Sequence, residues 1–132
     1  MKILRFEDLA AWRAAREMTR QAFRASDVQG LDADLFLRRQ LRRAATSAMA
    51  NIAEGFQSGS DREFARFLRI ARRSATEVQS HLYVASDRGC IKKEVFDAIY
   101  QKCEDTKNLI GGFLRYLKTP RKPGVGPSNV KT

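Results

Sequence analysis

The sequence predicts an all-α fold, specifically an antiparallel up-down-up-down four-helix bundle. Three observations predict it. Apolar residues recur every three or four positions over four long stretches, with no strand-like alternation between them. The three prolines, Pro120, Pro123 and Pro127, all lie near the C-terminus, so nothing upstream must break a helix for want of an N–H donor. The joints between stretches are short, which makes successive helices antiparallel neighbours.

The first helix is predicted from Asp8 to Arg24, with the Asp8 carboxylate as N-cap. Leu9, Trp12, Ala15, Thr19, Ala22 and Phe23 mark its inner side. A turn follows over Ser26-Asp27-Val28-Gln29-Gly30. The second helix runs from about Asp34 to Glu54, with Leu37, Leu41, Ala44, Ala48 and Ile52 as its apolar stripe. Its many alanines favour helix and permit close helix–helix approach. Gly55 is read as its terminator, since glycine enters the left-handed conformation without a Cβ clash.

The third helix has the clearest pattern. Ser60 and Glu63 stand at capping-box spacing. Phe64, Leu68, Ala71, Ala75, Val78, Leu82 and Ala85 then step by four and three, the seam of near-parallel helix packing. Gly89 ends the helix. The fourth runs from about Lys92 to Lys118 with Val95, Ile99, Cys103, Thr106, Ile110, Phe113 and Leu117 inward. Gly111-Gly112 interrupts it, at about 1 kcal/mol per glycine relative to alanine, and marks a close contact or a bend.

The chain has 132 residues, a normal size for one domain, with 43% hydrophobic and 30% charged residues. Residues 1–118 are assigned to the bundle and 119–132 to a disordered basic tail. Net charge is +10; the tail holds Arg121, Lys122 and Lys131 and no acid, which leaves +7 to the body. A basic body fits an anionic partner such as nucleic acid, an acidic protein or an anionic surface, or else a soluble surface that happens to be basic. The two cysteines, Cys90 and Cys103, form neither a CxxC pair nor a disulfide framework, which fits a reducing compartment. No secretory signal is visible and no stretch approaches the ~20 apolar residues of a membrane span, so a cytoplasmic, membrane-free protein is expected.

Arginine is distributed in stripes. Arg62, Arg66, Arg69 and Arg73 are spaced four, three, four, opposite the seam of the third helix. The first helix carries Arg13, Arg16, Arg20 and Arg24; the second carries Arg38-Arg39 and Arg42-Arg43. Arginine forks onto phosphate where lysine acts as a point charge, which points to backbone contact on RNA or DNA. The competing reading is a solvated face with intrahelical pairs, such as Glu17 with Arg13 and Arg20, worth ~0.3 kcal/mol each. No aromatics interleave with these arginines, so sequence-specific readout is not indicated. The residues assigned to nucleic-acid contact are Arg62, Arg66, Arg69, Arg73, Arg38, Arg42, Arg43, Arg13, Arg16 and Arg20.

Several apolar residues fall off the seams: Ile70 and Val84 on the third helix, Phe96, Tyr100 and Leu114 on the fourth, Phe36 and Met49 on the second. Together they point to a second buried surface and hence a homo-oligomer. Gln40, Ser47, Asn51 and Glu54 share a face of the second helix, as Ser74 and Glu77 do on the third. They read as a hydrogen-bonded network holding helix register, each unpaired group costing ~1–3 kcal/mol if buried. A carboxylate metal site from Glu54 and Glu77 is the sharper alternative, but a di-iron bundle needs Glu-x-x-His motifs and the one histidine, His81, supplies none. No phosphate loop or nucleophile–histidine arrangement is present, so no cofactor and no catalysis are expected.

Phe6-Glu7-Asp8-Leu9 with Trp12, Gln40-Leu41-Arg42-Arg43-Ala44-Ala45, Ser47 and Asn51-Ile52-Ala53-Glu54-Gly55 form a pattern with Glu63-Phe64, Phe67-Leu68, Ile70-Ala71, Ser74 and Glu77. This pattern, over about Phe6 to Leu117, resembles the bacterial four-helix bundle proteins linked to reading frames in intervening sequences of 23S ribosomal RNA. Ala48 stands where that family usually has isoleucine, and Arg73 where it usually has glycine. The resemblance implies a bundle assembled as a ring-like homopentamer. Its architecture is similar to that of the accessory variability protein of diversity-generating retroelements, which binds nucleic acid and a reverse transcriptase. It implies no catalysis. The expected function is therefore a non-catalytic oligomer that contacts RNA or DNA backbone, the alternative being a scaffold for a protein partner.

Overall fold

A computed structural model describes residues 3–27, 29–32 and 34–119, so the tail predicted to be disordered lies, but for Thr119, outside the described residues. A 3₁₀ turn over Phe6–Asp8 leads into α1 (Ala10–Ser26). The short α2 (Gln29–Asp32) is followed by α3 (Leu35–Phe56), α4 (Asp61–Asp87) and α5 (Lys93–Lys118). The described residues contain helices and no strand.

The four long helices close a cycle, in which α3 touches α1 and α4, and α5 touches α4 and α1. Every neighbouring pair is antiparallel. Thr19 meets the Ala45 carbonyl and Ser26 meets Arg42 between α1 and α3. Ser47 meets Ser74 between α3 and α4, Lys107 meets Gln79 between α4 and α5, and Met18 meets Cys103 between α1 and α5. The seven seam residues predicted on α4 are all buried, as are Leu37, Leu41, Ala44, Ala48 and Ile52 on α3. Leu31 of α2 packs with Met18, Leu41, Val78, Leu82 and Ile99. Ile3 and Leu9 pack with Ile52, Phe64, Leu68, Ile110 and Phe113. Cys103 lies in the first of these clusters with its Sγ 3.3 Å from Met18 Sδ, and burial pushes its thiol up to about 12.

Several local expectations are corrected. Asp8 does not cap α1; it belongs to the 3₁₀ turn, and Leu9 holds the cap position without a side-chain bond. The inner face of α1 is Ala11, Ala15, Met18, Ala22 and Ala25, while Trp12, Thr19 and Phe23 are half-buried at its edges. The turn expected over Ser26–Gly30 is shorter than predicted: Ser26 still belongs to α1, and Gln29–Gly30 open the helical turn α2. Gly55 does not end α3: the helix continues to Phe56 with Gln57 as a right-handed C-cap. Its missing side chain serves packing instead, since a Cβ there would stand 2.7 Å from Phe67 Cβ and 3.0 Å from a Phe64 ring carbon. Gly111-Gly112 does not break α5, and among the described residues it makes no close contact, for a Cβ at either would meet only the Arg115 guanidinium.

Other signals act as the sequence predicts. Ser60 caps α4, accepting from the Glu63 N–H at 3.2 Å; at Asp34, read from the sequence only as the start of the helix, the side chain accepts from the Leu37 N–H at 3.0 Å. Gly89, at φ +70°, closes α4 with two bonds, Gly89 N–H to Ser86 O (3.0 Å) and Cys90 N–H to Ala85 O (2.8 Å). The off-seam residues divide. Leu114 is buried, and Ile70 and Met49 are half-buried. Phe96 and Tyr100 are half-buried too, ringed with Tyr83 at centroid distances of 5.0–6.0 Å. Phe36 (73%) and Val84 (44%) remain exposed.

Candidate nucleic-acid interface

The α3–α4 pair sets the geometry of the basic surface. The Ser47 and Ser74 hydroxyls lie 2.9 Å apart across the helix interface. Asn51 Nδ2 donates to the Ser47 carbonyl (2.8 Å) and Oγ (3.1 Å), and Ser74 donates to the Ile70 carbonyl (3.1 Å). Ser47, Asn51 and Ser74 form half of the register-holding network that the sequence predicts; Gln40, Glu54 and Glu77 stand outside it, and both glutamates are exposed. Because the helices are antiparallel, each residue back along α3 from Ser47 corresponds to one forward along α4 from Ser74. Arg43 therefore stands level with Val78, Arg39 level with Leu82, and Glu54 level with Phe67. Glu54 and Glu77 are ten residues apart in that register, about 15 Å at 1.5 Å per residue, too far to share a metal ion. Among the described residues there is no group of three or more His, Cys, Asp or Glu side chains able to hold one.

The ten arginines assigned from sequence divide three ways. Arg62, Arg66, Arg69 and Arg73 are exposed along the outside of α4, and Arg43 is exposed beside them on α3. From Arg62 to the level of Arg39 this row extends about 30 Å. Arg66 pairs with Glu63 at 2.7 Å and lies over the Phe67 ring. Arg62, Arg69, Arg73 and Arg43 make no ion pair with another described residue.

Arg38 and Arg42, by contrast, turn toward α1. Both reach Asp27, at 3.1 and 2.5 Å. Arg42 also donates to Ser26 Oγ at 2.6 Å and lies over the Phe23 ring. Ser26 is fully buried and donates in turn to the Phe23 carbonyl. These two arginines fasten the end of α1 to α3.

The third group, Arg13, Arg16 and Arg20, lies with Trp12 and Met49 on the α1–α3 side, away from the α4 row. Arg13 bonds the Glu7 carbonyl, Arg16 lies over Trp12, and Arg20 stands 3.5 Å from Glu17. Glu17 is held below its usual range chiefly by its bond from Gln21, with help from Arg24 and Arg20.

Residues 7–112 match the model of the 23S rRNA-intervening sequence protein family. The chain belongs to that family. All ten arginines fall within the matched segment. A crystal structure of a protein of unknown function from the S23 ribosomal protein family of Bacteroides thetaiotaomicron VPI-5482 superposes with a TM-score of 0.73 at 20% identity, covering 80% of this chain and 99% of that one. At that identity the likeness shows a common fold. No curated protein matches the sequence. The family's name associates it with ribosomal RNA, and no helix among the described residues is long and apolar enough to cross a membrane.

Arg39 and Arg72 escaped the sequence assignment, yet both are exposed and unpaired with described residues. Arg39 lies one turn from Arg43 on the same side of α3. Arg72 sits roughly 100° round from Arg73, so it breaks the four-three-four spacing that reveals the stripe.

Proposed function

We propose that this protein is a non-catalytic homo-oligomer, a ring-like pentamer, that binds RNA backbone through the outer face of α3 and α4. The observation that carries the reading is the row Arg62, Arg69, Arg73 and Arg43, exposed and without ion pairs to other described residues. An unpaired guanidinium can turn to a phosphate without breaking an ion pair, whereas a paired one must first give up its carboxylate. With Arg66 they offer forked donors at intervals of about one helical turn. RNA is favoured over DNA as the natural partner by the family's association with ribosomal RNA.

The oligomer rests on the family resemblance and on apolar side chains left wet in one chain, chiefly Leu35, Phe36, Tyr83 and Val84. Light scattering on the purified chain reads the subunit number, and the absorbance ratio at 260 and 280 nm reads bound nucleic acid. A pentamer that carries RNA, lost on washing in high salt, is the expected result. A monomer free of nucleic acid that binds no RNA at low salt contradicts it. A salt-insensitive protein partner would favour a scaffold role instead.

A further inference from the structure

The same α3–α4 face contains a groove of about 410 Å³ that the row of arginines does not explain. It is lined by Gln40, Arg43, Ala44 and Ser47 from α3 and by Ile70, Arg73, Ser74 and Glu77 from α4. Its volume falls in the ~300–1,000 Å³ range of small-molecule sites. Ala44, buried and small, opens it between the helices, and the bonded Ser47–Ser74 hydroxyl pair crosses it. Arg43 and Arg73 flank it, one from each helix, with no carboxylate bound to either among the described residues.

Glu77 is the one acid among these lining residues. A carboxylate beside two phosphate-binding arginines would repel phosphate, so it needs a hydrogen-bond donor to face. Among the described residues no hydrogen-bond donor reaches it: the one ion pair it makes is with His81, whose Nε2 stands 3.8 Å away, beyond hydrogen-bond reach. Arg73, one turn earlier on the same helix, forms no ion pair with it. The Glu77 side chain is 62% exposed, and its residue lies about one helical turn along α4 from Arg73, with both side chains lining the groove. A ribonucleotide presents such a donor beside its phosphate, the 2′-hydroxyl, the group by which proteins tell RNA from DNA.

We infer that this groove seats one ribonucleotide of a bound strand: Arg43 and Arg73 hold the phosphodiester, and the Glu77 carboxylate accepts a hydrogen bond from the ribose 2′-hydroxyl. The inference rests on the proposed RNA-backbone reading and adds selectivity to it. Backbone charge attracts both nucleic acids, and Glu77 makes the sugar matter.

The test uses the full chain and two labelled single strands of one sequence, one RNA and one DNA, titrated at low salt. The wild type is expected to bind RNA about tenfold more tightly, the scale of one hydrogen bond to a charged group. Glu77→Ala should bring the ratio to about one while DNA binding holds or improves, because a negative charge has gone. Glu77→Gln, whose amide oxygen still accepts, should keep part of the preference. Arg43→Ala with Arg73→Ala should weaken both nucleic acids, with helicity by circular dichroism unchanged. Equal wild-type binding to RNA and DNA overturns the inference and leaves backbone binding standing. So does a preference that survives Glu77→Ala. Failure to bind either strand overturns both readings.

Discussion

The corner where α1 meets α3 and the outer face where α3 meets α4 are both rich in arginine, and they use it oppositely. At the corner, Arg38 and Arg42 converge on Asp27, and Arg42 adds Ser26 and Phe23. On the outer face, Arg62, Arg69, Arg73 and Arg43 have no acid drawn to them. Two adjacent residues, Arg42 and Arg43, fall on different sides of this divide because one residue along a helix is 100° of rotation. The position of an acid in the loop, more than the spacing of the arginines, decides which of them remain available.

Three sets of variants break or sharpen this contrast. The largest effect is expected from Arg62→Glu, Arg69→Glu and Arg73→Glu together. RNA affinity at low salt should fall about 100-fold or more, since three contacts become three repulsions, while the helical signal stays intact. Next comes Arg42→Ala, which removes an exposed ion pair, a bond to a buried hydroxyl and a cation–π contact. Urea denaturation should show a loss of about 1–3 kcal/mol, with RNA affinity held within about twofold. An Arg42→Ala protein that is stable but fails to bind would return Arg42 to the interface. The smallest effect is expected from Arg13→Ala, Arg16→Ala and Arg20→Ala. These lie beyond α3 from the α4 row and act mainly through the long-range field, so RNA affinity should drop only about threefold at 0.1 M salt, where the screening length is ~10 Å.

The sequence made the long helices legible because their patterns are strong. The α4 seam mixes large residues, Phe64, Leu68, Val78 and Leu82, with alanine at regular steps, and all of it is buried. The inner face of α1 was harder to read. It is mostly alanine, which fits inside or outside equally well, so the conspicuous Trp12 and Phe23 drew the predicted seam toward the helix edges. There they support guanidiniums, Arg16 over Trp12 and Arg42 over Phe23. Gly55 was legible as a special position and misread in kind. A glycine needed for close approach and one needed for positive φ look alike until Phe64 and Phe67 are placed against it.

The basic face was half legible. Period alone put Arg62 to Arg73 outside α4. It could not separate Arg38 and Arg42 from Arg43, because that depends on where Asp27 lies after the chain has turned. The groove depends on the α3–α4 register, which brings Arg43 and Ser47 to Arg73, Ser74 and Glu77 from some 30 residues away in the chain. Ser47 and Ser74 were visible as polar residues on inner faces, and only their contact makes them the floor of a site.

The central claim is that the exposed arginines of the α3–α4 face bind phosphate and that Arg38 and Arg42, drawn to Asp27, do not. The most direct test is the salt dependence of single-stranded RNA binding, compared between wild type, Arg62→Ala/Arg69→Ala/Arg73→Ala and Arg38→Ala/Arg42→Ala. Each lost phosphate contact should flatten the log–log slope by ~0.7, so the first variant should lose about 2 from its slope and the second close to nothing. Equal slopes in all three proteins, or a larger change in the Arg38/Arg42 variant, would contradict the account.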